Sequence, residues 1–492
     1  MVLDADAAYL ALKTRDARFD GRLFVGVTST GVYCRPVCRV RLPRRENCRF
    51  FDTRAQAEAA RFRPCLKCRP EIAPGLSLAD SSRSLAADAA RFIERAVHGG
   101  EAIDMPTLAR RLGVTDRHLR RIFVAAHGVA PHDYLTTQRL LLAKQLLTDT
   151  AQPVIAVALA SGFGSLRRFN AAFAERYRLN PTAVRRARAN TSTASALRLA
   201  YRPPLDIEAL LGFLGRRALP GVEQVDGPAL RRTLAWPHEG ALVAGWIECR
   251  FEIDRHELAL SAAPALAPVL GAVMRRVRRA LDLDADPALI DPVLARLPLA
   301  PRPGTRLPGA FDGFESAVRV VLGQQVTVQA ACTLTRRLVE RYGTPVQTPW
   351  PALATLFPSA RAIADADPEA MGRLGIVRQR VRALQALAAA VAAGAIELDG
   401  QAPLVATLEA LRALPGIGDW TAQVIAMRSL AWPDAWPASD IGLLNALAPA
   451  RARASAAQRA SASAAITAQA QAWRPWRAYA VMRLWHHLEN ET

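Results

Sequence analysis

Lysine is almost absent from this sequence of 492 residues, because only Lys13, Lys67 and Lys144 among its 64 basic residues are lysine and the rest are arginine. All three precede residue 145. Residues 145–492 therefore cannot supply the lysine of an enzyme that acts through a lysine Schiff base. Cysteine is also scarce, with seven residues, and the acidic start M-V-L-D-A-D is not a secretory signal. We expect reduced thiols and a cytoplasmic protein.

Long apolar segments are missing as well. The longest, at residues 383–396, is interrupted by Gln385 and is shorter than the ~20 residues that span a bilayer, so we expect no membrane partner. Disorder is excluded for the bulk of the chain, since 51% of its residues are hydrophobic. A single core is excluded by length, and several domains are expected.

The positive charge is large and uneven. Of the formal net charge of +20, residues 1–85 contribute +7 and residues 86–192 contribute +8, against +5 for the remaining 300 residues. A basic excess concentrated in one part of a chain is typical of nucleic-acid binding. The alternative is a solvated basic surface without a partner.

Two close cysteine pairs stand in this basic region. They read C-R-P-V-C and C-L-K-C and supply Cys34, Cys38, Cys65 and Cys68. This spacing is typical of a tetrahedral thiolate site for Zn²⁺. By spacing alone the site is more often architectural than reactive. Cys48 has no close partner and is left out of the metal site, and Cys249 and Cys332 lie in apolar sequence typical of a core. The flanks are rich in arginine: Arg35, Arg39, Arg41, Arg44, Arg45 and Arg49.

Two similar helical units follow. Residues 105–123 read M-P-T-L-A-R-R-L-G-V-T-D-R-H-L-R-R-I-F, and residues 157–173 read V-A-L-A-S-G-F-G-S-L-R-R-F-N-A-A-F. Gly113 and Gly162 each end a helix, and Thr115 and Ser165 are good N-caps for the next one. Two helix-turn-helix units are predicted, with second helices that enter the major groove. The side chains predicted to face DNA are Arg117, Arg120, Arg121, Arg167, Arg168 and Asn170.

A glycine hairpin is the strongest local signal in the C-terminal half. Residues 414–422 read L-P-G-I-G-D-W-T-A. Gly416 and Gly418 would expose backbone N–H groups where a helix begins, an arrangement that binds phosphate. This hairpin is therefore a candidate contact with the DNA backbone.

The N-terminal motifs resemble two known families. F-D-G-R, T-G-V-Y-C-R-P-V-C, R-E-N and F-R-P-C-L-K-C are similar to the N-terminal domain of the Ada adaptive-response protein. Residues 86–187 resemble an AraC-type DNA-binding domain, through G-F-G-S-L-R-R-F-N-A-A-F and Asn180-Pro181. The first resemblance implies one Zn²⁺ on the four cysteines, with Cys34 also accepting a methyl group from a methylphosphotriester in DNA.

That methyl transfer would change the charge of the metal site. Four thiolates around Zn²⁺ carry −2, and methylation of Cys34 leaves −1. One unit of charge near DNA phosphates is worth roughly 1–4 kcal/mol, or about a tenfold to thousandfold change in affinity. The same event could repair the backbone and switch on DNA binding.

The C-terminal part resembles the AlkA-type 3-methyladenine glycosylases of the helix-hairpin-helix superfamily. The similarity lies in residues 201–223, 306–326, 414–422 and 473–485. It implies hydrolysis of an N-glycosidic bond with Asp440 as the catalytic carboxylate, Trp420 and Trp485 around the flipped base, and Gln325 in the gap left in the duplex. Related lyases carry their lysine at the position of Trp420, so a monofunctional enzyme is expected.

Other residues near these motifs are assigned to the scaffold. Asp434 competes with Asp440 but follows Trp-Pro, where a turn role is favoured. Four further tryptophans are expected in the core: Trp432, Trp436, Trp473 and Trp476.

The sequence thus predicts four domains: a small zinc-bound α/β module (1–75), an all-α double helix-turn-helix domain (86–187), an α+β domain (197–285) and an all-α helix-hairpin-helix glycosylase domain (286–492). Linkers are expected at 74–84 and 187–196.

The predicted protein binds alkylated DNA and a promoter, with RNA polymerase as a further partner, in the cytoplasm on the nucleoid. The alternative is a zinc-dependent transcription regulator whose C-terminal region is structural. An O6-alkylguanine transferase is rejected, because the only Pro-Cys is Pro64-Cys65 in the metal site.

Overall fold

The protein is known from a computed structural model that describes residues 5–15, 23–51, 54–68, 70, 78–99, 103–150, 152–189, 196–238, 240–399, 402–452 and 455–491. It divides into two compact units. The first contains residues 1–94 and 103–138, and the second contains residues 95–102 and 139–492.

The first unit begins with a small sheet module. Its elements are α1 (Ala5–Lys13), β1 (Phe24–Val27), β2 (Val32–Cys34), β3 (Cys48–Phe51), α2 (Arg54–Ala59) and β4 (Arg63–Pro64). The strand order is β3-β1-β2-β4, with β2 and β4 parallel and the other pairs antiparallel. Gly26 lies under the rings of Phe51 and Phe62, where a Cβ atom would come within 2.9 Å of both.

The first unit continues with helices. They are α3 (Leu78–Gly99, whose last turn falls in the second unit), α4 (Met105–Arg111), α5 (Asp116–His127) and the first half of α6 (Pro131–Asp149). The linker predicted at 74–84 is wrong from Leu78 onward, while residues 74–77 lie outside the described residues. Ala86, Ala89 and Ile93 are fully buried at helical spacing, so the serines before them extend a helix instead of separating domains.

The second helix-turn-helix unit lies in the second compact unit. It consists of α7 (Val154–Ala160) and α8 (Leu166–Tyr177), followed by α9 (Pro181–Ala189). The linker predicted at 187–196 begins too early, because the helix continues through Ala189. Residues 190–195 of that prediction lie outside the described residues.

An antiparallel sheet forms the next part of the second unit. Its strands are β5 (Leu197–Ala200), β6 (Glu223–Asp226), β7 (Ala229–His238), β8 (Ala241–Glu252) and β9 (Glu257–Ala262), in the order β5-β9-β8-β7-β6. The associated helices are α10 (Ile207–Gly215), α11 (Leu270–Ala280) and α12 (Pro287–Leu294). This is the α+β domain that the mixed pattern predicts.

The rest of the second unit is helical. Its helices are α13 (Gly313–Leu322), α14 (Val328–Tyr342), α15 (Ala360–Ala364), α16 (Pro368–Arg373), α17 (Arg378–Ala392), α18 (Leu404–Arg412), α19 (Asp419–Arg428), α20 (Ile441–Leu447), α21 (Pro449–Ala452), α22 (Ala456–Gln469) and α23 (Arg477–Glu491). A two-residue ladder joins β10 (Thr344–Pro345) to β11 (Thr355–Leu356). Trp436 and Trp473 are buried in the shared core and Trp432 and Trp476 pack against it, which confirms their predicted placement.

The predicted fold class is confirmed: a cysteine-bearing sheet module, helix-turn-helix units, an α+β domain and a helical domain are all present. None of the described helices combines the length and apolar character that crossing a membrane requires.

Candidate active site and metal centre

Three side chains that the sequence analysis selected meet in the second unit. Asp440 caps the first turn of α20, where its Oδ1 accepts the backbone N–H of Leu443 at 3.0 Å. Trp420 of α19 donates its indole N–H to Oδ2 at 2.8 Å, and Trp485 of α23 donates to Oδ1 at 3.0 Å. The carboxylate is only 7% exposed. Three elements therefore fix its orientation, and among the residues that the structure describes no cationic side chain lies within hydrogen-bond distance of it.

Gly442 belongs to this arrangement, although the sequence analysis did not select it. A Cβ atom at this position would lie 2.8 Å from Oδ1 of Asp440 and 3.2 Å from the indole of Trp485. The pattern D-I-G was the available signal, because a glycine two residues after a buried carboxylate leaves room for its partners.

Asp440 lies at the wall of a cleft of about 1130 Å³. The cleft is lined by Trp420, Trp485 and Gln325, and by residues that the sequence analysis missed. Those from distant parts of the chain include Phe213, Arg217, Arg319, Val424, Arg428 and Ile441. Cys332 also lines the cleft and is half-buried, so its predicted core position is wrong. Cys249 is fully buried as predicted.

Asp434 lies outside this cleft. Its carboxylate accepts from the guanidinium of Arg477 at 2.8 and 2.9 Å and from Arg474 at 2.9 Å. Two arginine partners hold it as a structural ion pair that joins the middle of the α19–α20 connection to the start of α23 and the residues just before it. This agrees with the scaffold role expected from its sequence context.

A buried ionic network forms one wall of the cleft. Arg232 donates to Glu223 at 3.3 Å and to Glu315 at 2.7 Å, and Arg319 donates to the same carboxylates at 2.6 and 3.0 Å. Burial disfavours charge on Arg319, but the two glutamates outweigh it and raise its pKa. The network joins β6 and β7 to α13, and so fixes the α+β domain against the helical domain.

The predicted wedge and hairpin are joined by hydrogen bonds. Gln325 is exposed in the turn between α13 and α14 and has a left-handed backbone, with φ 54°. Its neighbour Gln324 donates from Nε2 to the carbonyl oxygen of Gly416 and to Oγ1 of Thr421, both at 2.9 Å. The duplex-plugging role of Gln325 stays a prediction.

The hairpin has the expected backbone. Gly416 has φ 76°, and Gly418 begins α19 with no side-chain cap on the helix. Asp419 in the first turn would repel a phosphate, but Arg412 holds its carboxylate at 3.0 Å. The N-terminus of the helix therefore keeps its partial positive charge available.

In the first unit the two cysteine pairs converge. Cys34 ends β2 and Cys65 follows β4, and because these strands are parallel both residues leave the sheet at the same end. The sulfur atoms of Cys34, Cys38, Cys65 and Cys68 all lie within 4.8 Å of one another. A tetrahedral Zn²⁺ site with bonds of about 2.3 Å needs sulfur separations near 3.8 Å, so the four cysteines fit one Zn²⁺.

The protonation of the sulfur atoms also fits a cation. Hydrogen bonds that the Cys34 thiol donates to the sulfur atoms of Cys38 and Cys68 raise the pKa of Cys34, and the bond it donates lowers the pKa of Cys38 to about 2. The packed thiols thus cannot all ionise by themselves. A divalent cation among them would offset the repulsion and hold four thiolates.

The arginines around the metal site divide into two groups. Arg35 is 1% exposed, with its backbone N–H 3.5 Å from Sγ of Cys68 and its guanidinium 3.4 Å from the carbonyl oxygen of Cys68. It is therefore a brace of the site and not part of the exposed basic surface that its sequence position suggested. Cys48 is buried outside the sulfur cluster, as expected. The exposed members are Arg39, Arg41, Arg44 and Arg49.

Both helix-turn-helix units have the predicted caps and faces. Thr115 and Ser165 accept the backbone N–H groups of His118 and Arg168, each at 3.3 Å. Leu119, Phe123 and Phe169 are fully buried. The predicted DNA-facing residues are all exposed: Arg117, Arg120, Arg121, Arg167, Arg168 and Asn170.

Four family profiles match the chain in the order of these parts. Residues 7–71 match the metal binding domain of Ada, and residues 108–187 match a helix-turn-helix domain. Residues 196–312 match the AlkA N-terminal domain, and residues 318–470 match the HhH-GPD superfamily of base excision DNA repair proteins. Together with the cleft, they define a DNA-binding protein that carries a helix-hairpin-helix repair domain.

Relatives match both the whole chain and its parts. The chain is 39% identical over 505 aligned residues to the probable bifunctional transcriptional activator/DNA repair enzyme AlkA of Mycobacterium tuberculosis, covering 99% of this chain and 97% of that protein. It is 34% identical to DNA-3-methyladenine glycosylase 2 of Escherichia coli over 58% of this chain and 96% of that protein. It is 33% identical to the regulatory protein ada of Salmonella typhimurium, over 32% of this chain and 42% of that protein. The chain belongs to the family of AlkA-type bifunctional transcriptional activator/DNA repair enzymes.

Proposed function

We propose that this protein answers alkylation damage in DNA, with a glycosylase that excises alkylated purines such as 3-methyladenine and a regulator that senses methylphosphotriesters. The observation that carries the glycosylase assignment is the buried carboxylate of Asp440, held between Trp420 and Trp485 at the wall of the cleft. The identity to the E. coli glycosylase over nearly its whole length supports the same activity.

The reaction is a hydrolysis. The bond between C1′ of the sugar and the base nitrogen breaks and its electron pair leaves with the base, while a water oxygen bonds to C1′ and that water releases one proton to the solvent. Asp440 faces the positive charge that develops on the sugar and orients the water. The indole rings suit a cationic base through cation–π attraction of about 0.5–2 kcal/mol. Trp420 stands where a lyase needs its lysine, so the enzyme is monofunctional.

Release of 3-methyladenine from methylated DNA by the purified protein tests this assignment. We expect Asp440→Asn to lower the single-turnover rate by about 10²- to 10⁴-fold, because the amide cannot balance the charge on the sugar. Asp434→Asn is the matched control: it should cost about 3 kcal/mol of stability while the folded protein keeps its activity. Full activity of Asp440→Asn would favour the alternative of a structural C-terminal region.

For the N-terminal module we propose that Cys34 accepts the methyl group. Its Sγ attacks the methyl carbon, the O–CH₃ bond breaks and the electron pair returns to the phosphate oxygen. Zn²⁺, when bound, keeps the sulfur atoms as thiolates. Backbone N–H groups of Val40 and Arg35 hydrogen-bond to Cys38 and Cys68 and so withdraw charge from them. In the part of the chain that the structure describes, no backbone N–H makes such a bond to Cys34, which is therefore the better nucleophile of these three.

Intact-mass measurement tests the methyl transfer. After incubation with DNA that contains methylphosphotriesters, the protein should gain one methyl group, and peptide mapping should locate it on Cys34. Cys48→Ser should react like the unmodified protein, because Cys48 lies outside the cluster. An unchanged mass would leave a purely architectural metal site.

The regulatory part of the proposal rests on the helix-turn-helix units. Arg117, Arg120, Arg121, Arg167, Arg168 and Asn170 would contact double-stranded DNA at a promoter. We propose the domain bounds 1–75, 86–187, 197–285 and 286–492, RNA polymerase as a partner at the promoter, and a cytoplasmic location on the nucleoid. Gly416 and Gly418 would hold the phosphates near the damaged nucleotide, and Gln325 would fill the gap in the duplex.

A further inference from the structure

The far end of the cleft contains a cationic side chain that the reaction above does not use. Arg428 lines the cleft, and among the described residues no carboxylate lies within ion-pair distance of its guanidinium. Its Nε donates to the carbonyl oxygen of Pro308 at 2.6 Å. Other arginines of the cleft wall have acidic partners: Arg217 pairs with Glu489, and Arg319 with Glu223 and Glu315.

The position of Arg428 relative to Asp440 follows from helix geometry. Trp420, Val424 and Arg428 occur at four-residue intervals along α19, and all three line the cleft. Eight residues along a helix correspond to about 12 Å, and helical side chains lean toward the N-terminus. Arg428 therefore lies about two helical turns from Trp420, whose indole N–H binds Asp440. A purine in this cleft with its sugar at Asp440 would have Arg428 among the residues that surround it.

The surroundings of Arg428 favour an electron-rich partner. Its guanidinium lies over the ring of Phe213, 4.8 Å from the centroid, and Arg217 lies 3.8 Å from the same centroid. Burial, and then the nearby Arg217 and Arg319, lower the pKa of Arg428 to about 9. A group that brings acceptor atoms or negative charge would relieve this repulsion.

We propose that Arg428 is a catalytic residue that donates hydrogen bonds to the departing base, and that its contribution is largest for purines that carry no positive charge. This inference rests on the glycosylase function proposed above. When the glycosidic bond breaks, its electron pair makes the base more negative by one unit. A cationic 3-methyladenine becomes neutral, whereas a neutral purine becomes an anion that needs a donor before it takes up a proton from water.

The two kinds of substrate give opposite expectations. In the transition state a cationic base still carries partial positive charge, so Arg428 contributes little or repels it. A neutral base carries partial negative charge there, and a guanidinium stabilises it. The ratio of the maximal single-turnover rate to the half-saturating enzyme concentration compares the transition state with the free reactants. This ratio should depend on Arg428 much more strongly for the neutral base than for the cationic base.

The experiment compares unmodified protein, Arg428→Met and Arg428→Lys on two duplexes, one methylated to carry cationic purines and one with a single hypoxanthine as the neutral purine. Arg428→Met should lower the ratio for hypoxanthine by roughly 10- to 100-fold and lower that for the cationic base by a much smaller factor. Arg428→Lys keeps the charge and should recover part of the loss. Thermal unfolding confirms that the variants fold.

Several outcomes would overturn the inference. Equal losses on both substrates would assign Arg428 to the scaffold or to the DNA backbone, and a difference in binding alone would indicate a phosphate contact. Failure of the unmodified protein to release hypoxanthine would also reject it. None of these outcomes contradicts the proposed glycosylase function. That function is rejected separately if the unmodified protein releases no cationic base.

Discussion

Two aspartates six residues apart show how much the role of a carboxylate depends on its partners. Asp434 accepts hydrogen bonds from two arginines on both of its oxygen atoms, and their positive charge compensates its negative charge. Asp440 is bound by two indole N–H groups and one backbone N–H. Neutral donors orient a carboxylate but leave its charge uncompensated, so that charge is available to an oxocarbenium-like sugar. Both residues are buried, and only Asp440 lines the cleft.

A third buried aspartate makes the stability of the glycosylase part depend on pH. Asp282 accepts hydrogen bonds from the backbone N–H of Leu307 at 2.9 Å and from the hydroxyl of Tyr479 at 2.8 Å. Burial nevertheless raises its pKa from 3.8 to about 6. The folded state therefore binds the proton more tightly than the unfolded state, and stability rises as the pH falls from about 6 to about 4.

Asp282→Asn should remove this dependence. Relative to the unmodified protein, the variant should gain about 1–1.5 kcal/mol of unfolding free energy on going from pH 5 to pH 8. Urea unfolding monitored by tryptophan fluorescence measures the unfolding free energy of the glycosylase part selectively, because all nine tryptophans lie between Trp236 and Trp485. Asp284→Asn is the control, since that carboxylate is largely exposed and its replacement should not change the slope. A parallel pH response of Asp282→Asn and the unmodified protein would contradict the prediction.

At the scale of elements, the turn between α13 and α14 and the hairpin before α19 are proposed to contact the same DNA, and hydrogen bonds join them to each other. Gln324 donates to Gly416 and Thr421 from the same Nε2 atom, and Arg380 of α17 donates to the carbonyl oxygen of Gln324. The left-handed backbone of Gln325 follows immediately. When the hairpin binds a phosphate, the wedge is thereby held at a fixed distance from it.

Gln324→Ala should therefore weaken excision more than stability. Loss of two hydrogen bonds is worth about 1–2 kcal/mol, so the ratio of single-turnover rate to half-saturating concentration should fall roughly 5- to 30-fold. Thermal unfolding should change little, because the side chain is only half-buried. Gln329→Ala, on the exposed start of α14, is the matched control and should leave excision unchanged. A variant with normal excision would show that the two elements act independently.

The elements differ in how far local sequence predicts them. The caps at Thr115 and Ser165 and the glycine hairpin depend on neighbours within a few residues, and the structure contains them as expected. Helix ends were less predictable: α3 begins at Leu78 inside a predicted linker, because a short polar run with three serines (residues 78–84) suits the first turns of a helix as well as a loop. Arg35 was assigned to a basic surface, but its contacts are with Cys68, more than thirty residues away.

For the whole molecule, the order of the parts could be read from the sequence because each part has its own motif. The residues that line the cleft could not be predicted from the sequence. Phe213 and Arg217 come from α10 or the turn after it, and Arg428 ends α19, more than two hundred residues later. Their proximity depends on the packing of the sheet domain against the helices through the Arg232 and Arg319 network. No local pattern encodes a contact over that distance.

The charge of the metal site should control DNA binding by the whole protein. Zn²⁺ with four thiolates carries −2, and replacement of Cys34 by alanine leaves −1, the charge that methylation would produce. Cys34→Ala should therefore bind promoter DNA about tenfold to thousandfold more tightly than the unmodified protein at low salt, without exposure to alkylated DNA. The gain should shrink as salt rises, since the Debye length falls from ~10 Å at 0.1 M to ~3 Å at 1 M.

Cys48→Ser is the control with unchanged site charge. Affinity is measured by titration of fluorescent duplex, with the zinc content determined on the same samples. If Cys34→Ala retains its zinc and binds like Cys48→Ser at every salt concentration, the charge switch is wrong even if Cys34 accepts a methyl group.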